Sequence, residues 1–325
     1  MTKVLILGAG GMVGQKLAHH LLANGLNGDT DLEISGVDIG FPPNGAAIHT
    51  QHTGNLTDSA LIAKVATARP DVIFHLAAIV SGESETNFDK GWATNMSSMW
   101  SLLEALRAEH LATNGQYVPR FVFTSSIAVF GAPFQEKISD AFLSAPQTSY
   151  GAQKAIDELM VSDFSRKGFI DGISIRLPTI CVRPGKANLA ASSFFSGIIR
   201  EPLNGLEGIL PVSDTTRHWH ASPRSAVGFL CHSAALDTAR LEGRRALNLP
   251  GVSCTVAEQI EALRSLAGEK VVALIKPKPD EAVMKIVAGW PRDFDPQRAV
   301  SLGYKAESNF QEIIQVYMDD DLGRS

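Results

Sequence analysis

The chain has 325 residues, with 29 Lys and Arg against 34 Asp and Glu for a formal net charge of -5, and 45% of its residues are hydrophobic. At roughly 150 residues per domain that is enough for about two domains with full apolar cores. A charged fraction of 19%, with 28 Gly and 16 Pro, excludes disordered and collagen-like chains, and mild acidity gives no general pull toward nucleic acid or an anionic membrane surface. No apolar run approaches the roughly 20 residues of a membrane span, and the apolar stretch 4–7 enters glycines too soon for a signal peptide. Cys181, Cys231 and Cys254 lie far apart with no C-x-x-C, the usage of a reducing cytoplasm. The expectation is a cytoplasmic protein with no nucleic-acid or membrane partner.

In chain order, apolar runs predict strands at 4–7, 33–37, 47–51, 71–76, 120–124 and 172–177, and amphipathic stretches predict helices at 12–23, 59–68, 89–110 and 150–169. Near-continuous apolar strands are buried on both faces, and their alternation with helices predicts an α/β fold with a doubly wound parallel sheet. After Pro178 the texture changes to Pro, Gly and Ser, as in the loop-rich region that such folds build at the carboxyl ends of late strands. A returning strand is expected at 246–249, a helix at 256–266, a strand at 270–275 and three further helical pieces. Asp295 with Pro296 reads as an N-cap followed by Pro, and Ser308 with Gln311 as a capping box. The expected division is 1–177, with the returning strand, for one domain and 178–325 mostly for a second.

Gly8-Ala9-Gly10-Gly11-Met12-Val13-Gly14 follows the first strand directly and opens a helix. The spacing is G-x-x-G-x-x-G, at Gly8, Gly11 and Gly14, because Val13 stands where G-x-G-x-x-G requires glycine. Bare backbone and a helix amino end suit a pyrophosphate, so a Rossmann dinucleotide site is expected. Asp38 ends the second strand, 24 residues beyond Gly14, against a usual interval of about 20. Its carboxylate can accept both adenosine ribose hydroxyls and repels a 2′-phosphate. No Arg or Lys occurs between Asp38 and Asn55, so NAD is expected rather than NADP.

Tyr150 and Lys154 open the helix at 150–169 and, at i and i+4, share one face. A lysine ammonium about 6 Å from the phenol, at an effective dielectric of about 20, contributes roughly 2.8 kcal/mol, or about two pKa units, toward the phenolate. Such a Tyr is a usable general base. Thr124, Ser125 and Ser126 end the strand before that helix, where ligands bind in open α/β sheets. His75-Leu76-Ala77-Ala78 ends the strand before that one, and Asn95 follows in a helix.

The ordered set G-x-x-G-x-x-G, H-L-A-A, S-S-x-A-V-[YF]-G, Y-x-x-x-K and Arg176-Leu177-Pro178-Thr179 spans nearly the whole chain, which resembles the extended short-chain dehydrogenases/reductases. The resemblance implies Tyr150 as catalytic acid/base, Lys154 as holder of the nicotinamide ribose hydroxyls and Ser126 as partner of the reacting oxygen. It further implies Gly8, Gly11, Met12, Val13 and Gly14 at the pyrophosphate, Asp38, Asn55 and Leu56 at the adenosine, and Leu76 and Ala78 beside it. Asn95, Ser125, Pro178 and Ile180 complete the implied NAD site. Asn55 departs from the family's usual Asp, which weakens one adenine contact, and Phe130 replaces the common Tyr. The resemblance also implies a homodimer formed through the helices at 89–110 and 150–169.

For the substrate, Arg183 and Lys186 lie just past the nicotinamide strand, and Arg217 stands in a segment, Arg217-His218-Trp219-His220, where relatives acting on nucleotide sugars carry an anion-binding Arg. Such cations suit a carboxylate. The run R-P-G-K-x-N resembles NAD enzymes of the family that oxidise a small sugar acid at its C2 hydroxyl. A nucleotide-sugar epimerase or dehydratase with tightly held NAD is the alternative, and a dinucleotide-sensing protein without catalysis is a third, disfavoured by the presence of both Tyr150 and Lys154. Two His without a nearby carboxylate or Cys more often decorate a strand than bind metal, so no metal is expected at His218 and His220, nor at His49 and His52.

Overall fold

The computed structural model describes residues 1–185 and 191–323. In the first half β1 (Thr2–Leu7), α1 (Met12–Asn24), β2 (Leu32–Asp38), β3 (Thr50–Thr53), α2 (Ser59–Thr67) and β4 (Val72–His75) lead to the short helices α3 (Ser81–Thr86) and α4 (Phe88–Gly91). A π-helical segment, Trp92–Ser97, then runs into α5 (Ser98–Ala112), followed by β5 (Arg120–Ser126), α6 (Ser149–Arg166) and β6 (Asp171–Leu177). The second half comprises β7 (Thr179–Ile180), α7 (Ser193–Leu203), β8 (Gly208–Leu210), β9 (Arg217–Ala221), α8 (Pro223–Ala235), β10 (Ala246–Asn248) and β11 (Val252–Thr255). It ends with α9 (Val256–Ala267), α10 (Glu269–Val272), β12 (Ile275–Pro277), α11 (Glu281–Ala288), α12 (Gln297–Ser301) and α13 (Phe310–Asp320).

The apolar runs become one seven-stranded sheet in the order β10-β6-β5-β4-β1-β2-β3, with every pair parallel. Strand period two explains why those runs are unbroken. Val4 and Ile6 of β1 join the apolar layer under α1 and α8, while Leu5 and Leu7 join the opposite layer under α2, α5 and α6. This is the doubly wound α/β sheet of a Rossmann fold. A three-stranded sheet in the order β11-β9-β7 and a parallel pair β12-β8 lie outside it. A separate apolar cluster gathers Phe194, Phe195, Ile198 and Ile199 of α7 with Leu263 of α9 and Ile313, Ile314 and Tyr317 of α13.

Several local expectations are corrected. The strand expected at 47–51 is Thr50–Thr53, since the start of that run turns back on itself, Ile48 N donating to Ala46 O at 2.9 Å. The helix expected at 89–110 carries the π segment, and the strand expected at 270–275 is replaced by the end of α10 and a turn, with β12 beginning only at Ile275. Both caps move by one position: Pro296 caps α12, and Asn309, accepting from Glu312 N, caps α13.

One polar cluster crosses the fold beneath the carboxyl strand ends. Arg176 of β6 donates to both oxygens of Glu158 on α6, at 2.9 and 2.8 Å, and to Asn248 Oδ1 of β10 at 3.2 Å. Its guanidinium lies 4.8 Å from the Phe130 ring centre, and both charged side chains are 7% exposed. Removing one partner of such a pair strands the other charge. Arg176→Met is therefore expected to cost about 3–5 kcal/mol in urea unfolding, and Arg176→Met with Glu158→Leu to recover most of it; a double variant as unstable as the single one would contradict this account.

Candidate active site

At the carboxyl end of β1 the glycines fit a dinucleotide for steric reasons. Gly8 has φ +90°, and a Cβ there would lie 2.7 Å from Ala77 N; a Cβ on Gly14 would lie 2.2 Å from Gly8 O. The amino end of α1 has Gly11 at its N-cap, no side-chain cap and no acidic residue in its first turn. The Met12 and Val13 amides are thus left for an anion, where the helix dipole favours one. Asp38 stands beside this loop, accepting from Gly10 N at 2.9 Å with lone pairs to spare for ribose hydroxyls. Leu76 is held against the glycine loop by its N–H to Leu7 O at 2.8 Å, and Ala78 is half-buried beyond it. Leu56 is buried, whereas exposed Asn55 turns its Oδ1 onto Thr57 N at 3.0 Å. These residues fit NAD, whose pyrophosphate Gly11, Met12 and Val13 would hold and whose adenosine ribose Asp38 would hold.

Tyr150 and Lys154 sit on the first and second turns of α6, which Thr148 caps through Gly151 N. Lys154 is buried, donates to Thr124 O at 2.9 Å, and lies 5.7 Å from the Tyr150 ring centre. The expected depression of the Tyr150 pKa by Lys154 is corrected. Burial pushes the phenol up to about 12, against the pull of Ser126 and of the Arg183 guanidinium. Burial likewise drives Lys154 below its ordinary value, with Asp157 and Glu158 pulling it back up. Ser126 ends β5, accepts from Ala128 N at 3.1 Å and adjoins Tyr150.

Arg183 reaches this place by a route that spacing does not show. Its Nε donates to Ile180 O and its NH2 to Ser192 Oγ, both at 2.9 Å, and its own carbonyl accepts from buried Arg200 at 2.7 Å. Pro178 and Ile180 are buried in the same turn. Lys186 and Asn188 of the R-P-G-K-x-N run lie outside the described residues. Arg217 is not an open anion fork: it donates to Ser253 O at 3.0 Å and pairs with Glu258 at 3.1 Å. It also stands three residues before His220, the partner of Thr179, about 10 Å short of that strand end.

Two implied cofactor contacts are otherwise engaged. Asn95, on the π segment, accepts from Ile79 N at 2.8 Å and donates to Gln153 Oε1 at 2.7 Å and Ile79 O at 3.1 Å, so its amide clamps the β4 exit to α6. Ser125 turns inward and donates to Glu158 at 2.5 Å. Glu158 itself was missed by sequence reasoning, though its place four residues after Lys154 on the same face was a usable signal. His218 and His220 are buried on β9, and the described residues contain no group of three or more His, Cys, Asp or Glu able to hold a metal. Among them, no helix is long and apolar enough to cross a membrane.

The model of the NAD dependent epimerase/dehydratase family matches residues 4–220. The chain is 41% identical to D-erythronate dehydrogenase of Haemophilus influenzae, over 98% of this chain and 100% of that one. It is 43% identical to D-erythronate dehydrogenase of Cupriavidus necator, over 98% of each. A crystal structure described as the nucleoside-diphosphate-sugar epimerase from Agrobacterium tumefaciens superposes with a TM-score of 0.94 at 52% identity, covering 100% of this chain and 95% of that one. The chain belongs to the NAD-dependent epimerase/dehydratase family, the extended short-chain dehydrogenases/reductases, and is an enzyme whose cofactor is NAD.

Proposed function

We propose that the chain oxidises the C2 hydroxyl of a small sugar acid, D-erythronate first among candidates, to the 2-oxo acid. The observation that carries this reading is the full-length similarity to two proteins named D-erythronate dehydrogenase. Physical support comes from Arg183, whose guanidinium is near enough to pull on Tyr150 and can pair with a carboxylate in a fixed fork. Bound NAD supplies the hydride acceptor. Tyr150 takes the hydroxyl proton, Ser126 holds the reacting oxygen, and Lys154 holds ribose hydroxyls. Residues 1–177 with β10 serve as the cofactor-binding unit, and 178–325 mostly as the substrate-binding one. Three free thiols, Cys181, Cys231 and Cys254, fit work in the cytoplasm.

A second reading, nucleoside-diphosphate-sugar epimerisation, has the description of the 52% identical structure behind it. The two separate on a panel assay. Net NADH formation with C4 sugar acids supports the first; epimer formation from a nucleotide sugar without net NADH supports the second.

Association through α5 and α6 is the proposed homodimer contact, with the large apolar side chains of Trp100, 49% exposed, and Leu159, 72% exposed, offered from the two helices. Leu159→Asp is expected to halve the mass measured by light scattering, and an unchanged mass would remove these helices from the interface.

Tyr150→Phe is expected to lower kcat for D-erythronate by about 10²–10⁴-fold, the worth of a general base, and activity within threefold of the parent would refute the assignment. For Arg183, positive charge favours the phenolate, so its removal raises the Tyr150 pKa. Arg183→Met should therefore raise KM for the acid by at least about tenfold, as expected for a lost charge-assisted hydrogen bond, and move the rising limb of kcat/KM to higher pH. A variant with parental KM and an unmoved limb would exclude Arg183 from both roles.

A further inference from the structure

Thr179 lies two residues past Leu177, the strand partner of Ser126, and one residue before Ile180, whose carbonyl anchors Arg183. It is half-buried. Its hydroxyl is 2.7 Å from His218 Nε2, and the other ring nitrogen of His218, Nδ1, is 3.1 Å from Pro291 O. A backbone carbonyl can only accept, so Nδ1 carries the proton of the neutral ring and Nε2 has only a lone pair to offer. The Thr179 O–H must then donate to His218. With its one proton spent, the Thr179 oxygen can only accept from anything else that approaches it.

The ring cannot readily escape this role. His218 is 2% exposed and lies 4° from parallel to Phe195, with ring centres 5.2 Å apart. Burial holds its pKa down to about 4, so it stays neutral at the pH of any cytoplasmic reaction and the proton on Nδ1 is not exchanged for a doubly protonated ring.

We infer that Thr179 is a specificity residue, fixed as an acceptor by the positioning residue His218, and that it takes a hydrogen bond from a hydroxyl of the bound sugar acid other than the one oxidised. This rests on the sugar-acid reading above. An acceptor-only oxygen repels the carboxylate, which Arg183 takes instead, and favours a polyol end over an apolar or anionic one. A four-carbon aldonate has further hydroxyls at C3 and C4 for this contact.

The test has one readout that needs no substrate. In protein carrying ¹⁵N-labelled histidine, with the resonance assigned by its loss in His218→Gln, Nδ1 should be the protonated nitrogen and Nε2 an unprotonated acceptor; a proton on Nε2 overturns the inference. Kinetically, Thr179→Val should raise KM for D-erythronate about tenfold, the worth of one hydrogen bond to a buried polar group, with KM for NAD unchanged, and Thr179→Ser should restore it. Wild type should lose the same factor on either the 3-deoxy or the 4-deoxy acid, a loss that Thr179→Val no longer shows. His218→Phe, which keeps the stacked ring, should blunt that discrimination and His218→Gln should retain it. A change in KM for NAD instead, or equal discrimination in Thr179→Val and wild type, overturns the proposal. If wild type turns over no sugar acid, the functional reading fails, and the NMR result still decides the polarity of Thr179.

Discussion

The site depends on a buried ion pair that takes no part in the chemistry. Arg176 and Glu158 join β6 to α6, the helix that carries Tyr150 and Lys154. Glu158 also takes the Ser125 hydroxyl, which orients the end of β5 where Ser126 stands. Arg176 extends the tie to Asn248 of β10 and lies 4.0 Å from Asp140, in the loop that leads to Tyr150. A hydrophobic replacement of similar volume could hold these elements at equal or lower cost. What it could not do is fix the direction of each neighbour, since a bidentate guanidinium accepts only one arrangement of the carboxylate.

The same low-dielectric setting governs the proton chemistry. Burial raises Tyr150 to about 12, lowers Lys154 and raises Asp157, each by disfavouring the charged form. Lys154 is the nearer cation by sequence, yet the groups that lower the phenol are Ser126 and Arg183. Arg183, from a different part of the chain, provides the pull on the phenol. The protein has a net charge of -5, so positive potential for an anionic cofactor has to be built locally. The uncapped amino end of α1, Lys154 and Arg183 build it at one end of one sheet.

Much of this was legible in the sequence because it rests on local rules. The glycine loop, the strand before it and Asp38 follow from backbone sterics and strand period, and the parallel sheet follows from apolar runs such as 4–7. Tyr150 and Lys154 follow from helical spacing. What was not legible depends on contacts between distant segments. Arg217 looked like an anion fork, but Glu258, 41 residues later, sits beside it. Asn95 looked available to the cofactor until the π segment turned it toward Ile79 and Gln153, and an extra residue in a helical turn has no simple composition signature. The one-residue shift of the cap from Ser308 to Asn309 is a local error of a smaller kind: both residues are good caps, and Glu312 serves both, accepting from Ser308 N at 2.8 Å and donating its own N–H to Asn309.

The segment 290–295 shows how the two regions of the chain are made to agree on one geometry. Pro291 O receives the His218 ring proton and so sets the polarity of Thr179. Two residues on, Asp293 O accepts from Ile138 N at 3.1 Å, and Asp295 N donates to Ile138 O at 2.9 Å, tying the loop that precedes Tyr150. Between them Phe294 packs on both Phe130, beside the catalytic strand, and Trp219, beside His218. One extended stretch thus holds the strand end that carries Thr179 and the loop that delivers Tyr150. Because a packed core has discrete rather than continuous arrangements, backbone hydrogen bonds and ring contacts from one short stretch tie the position of Thr179 to that of the loop before Tyr150.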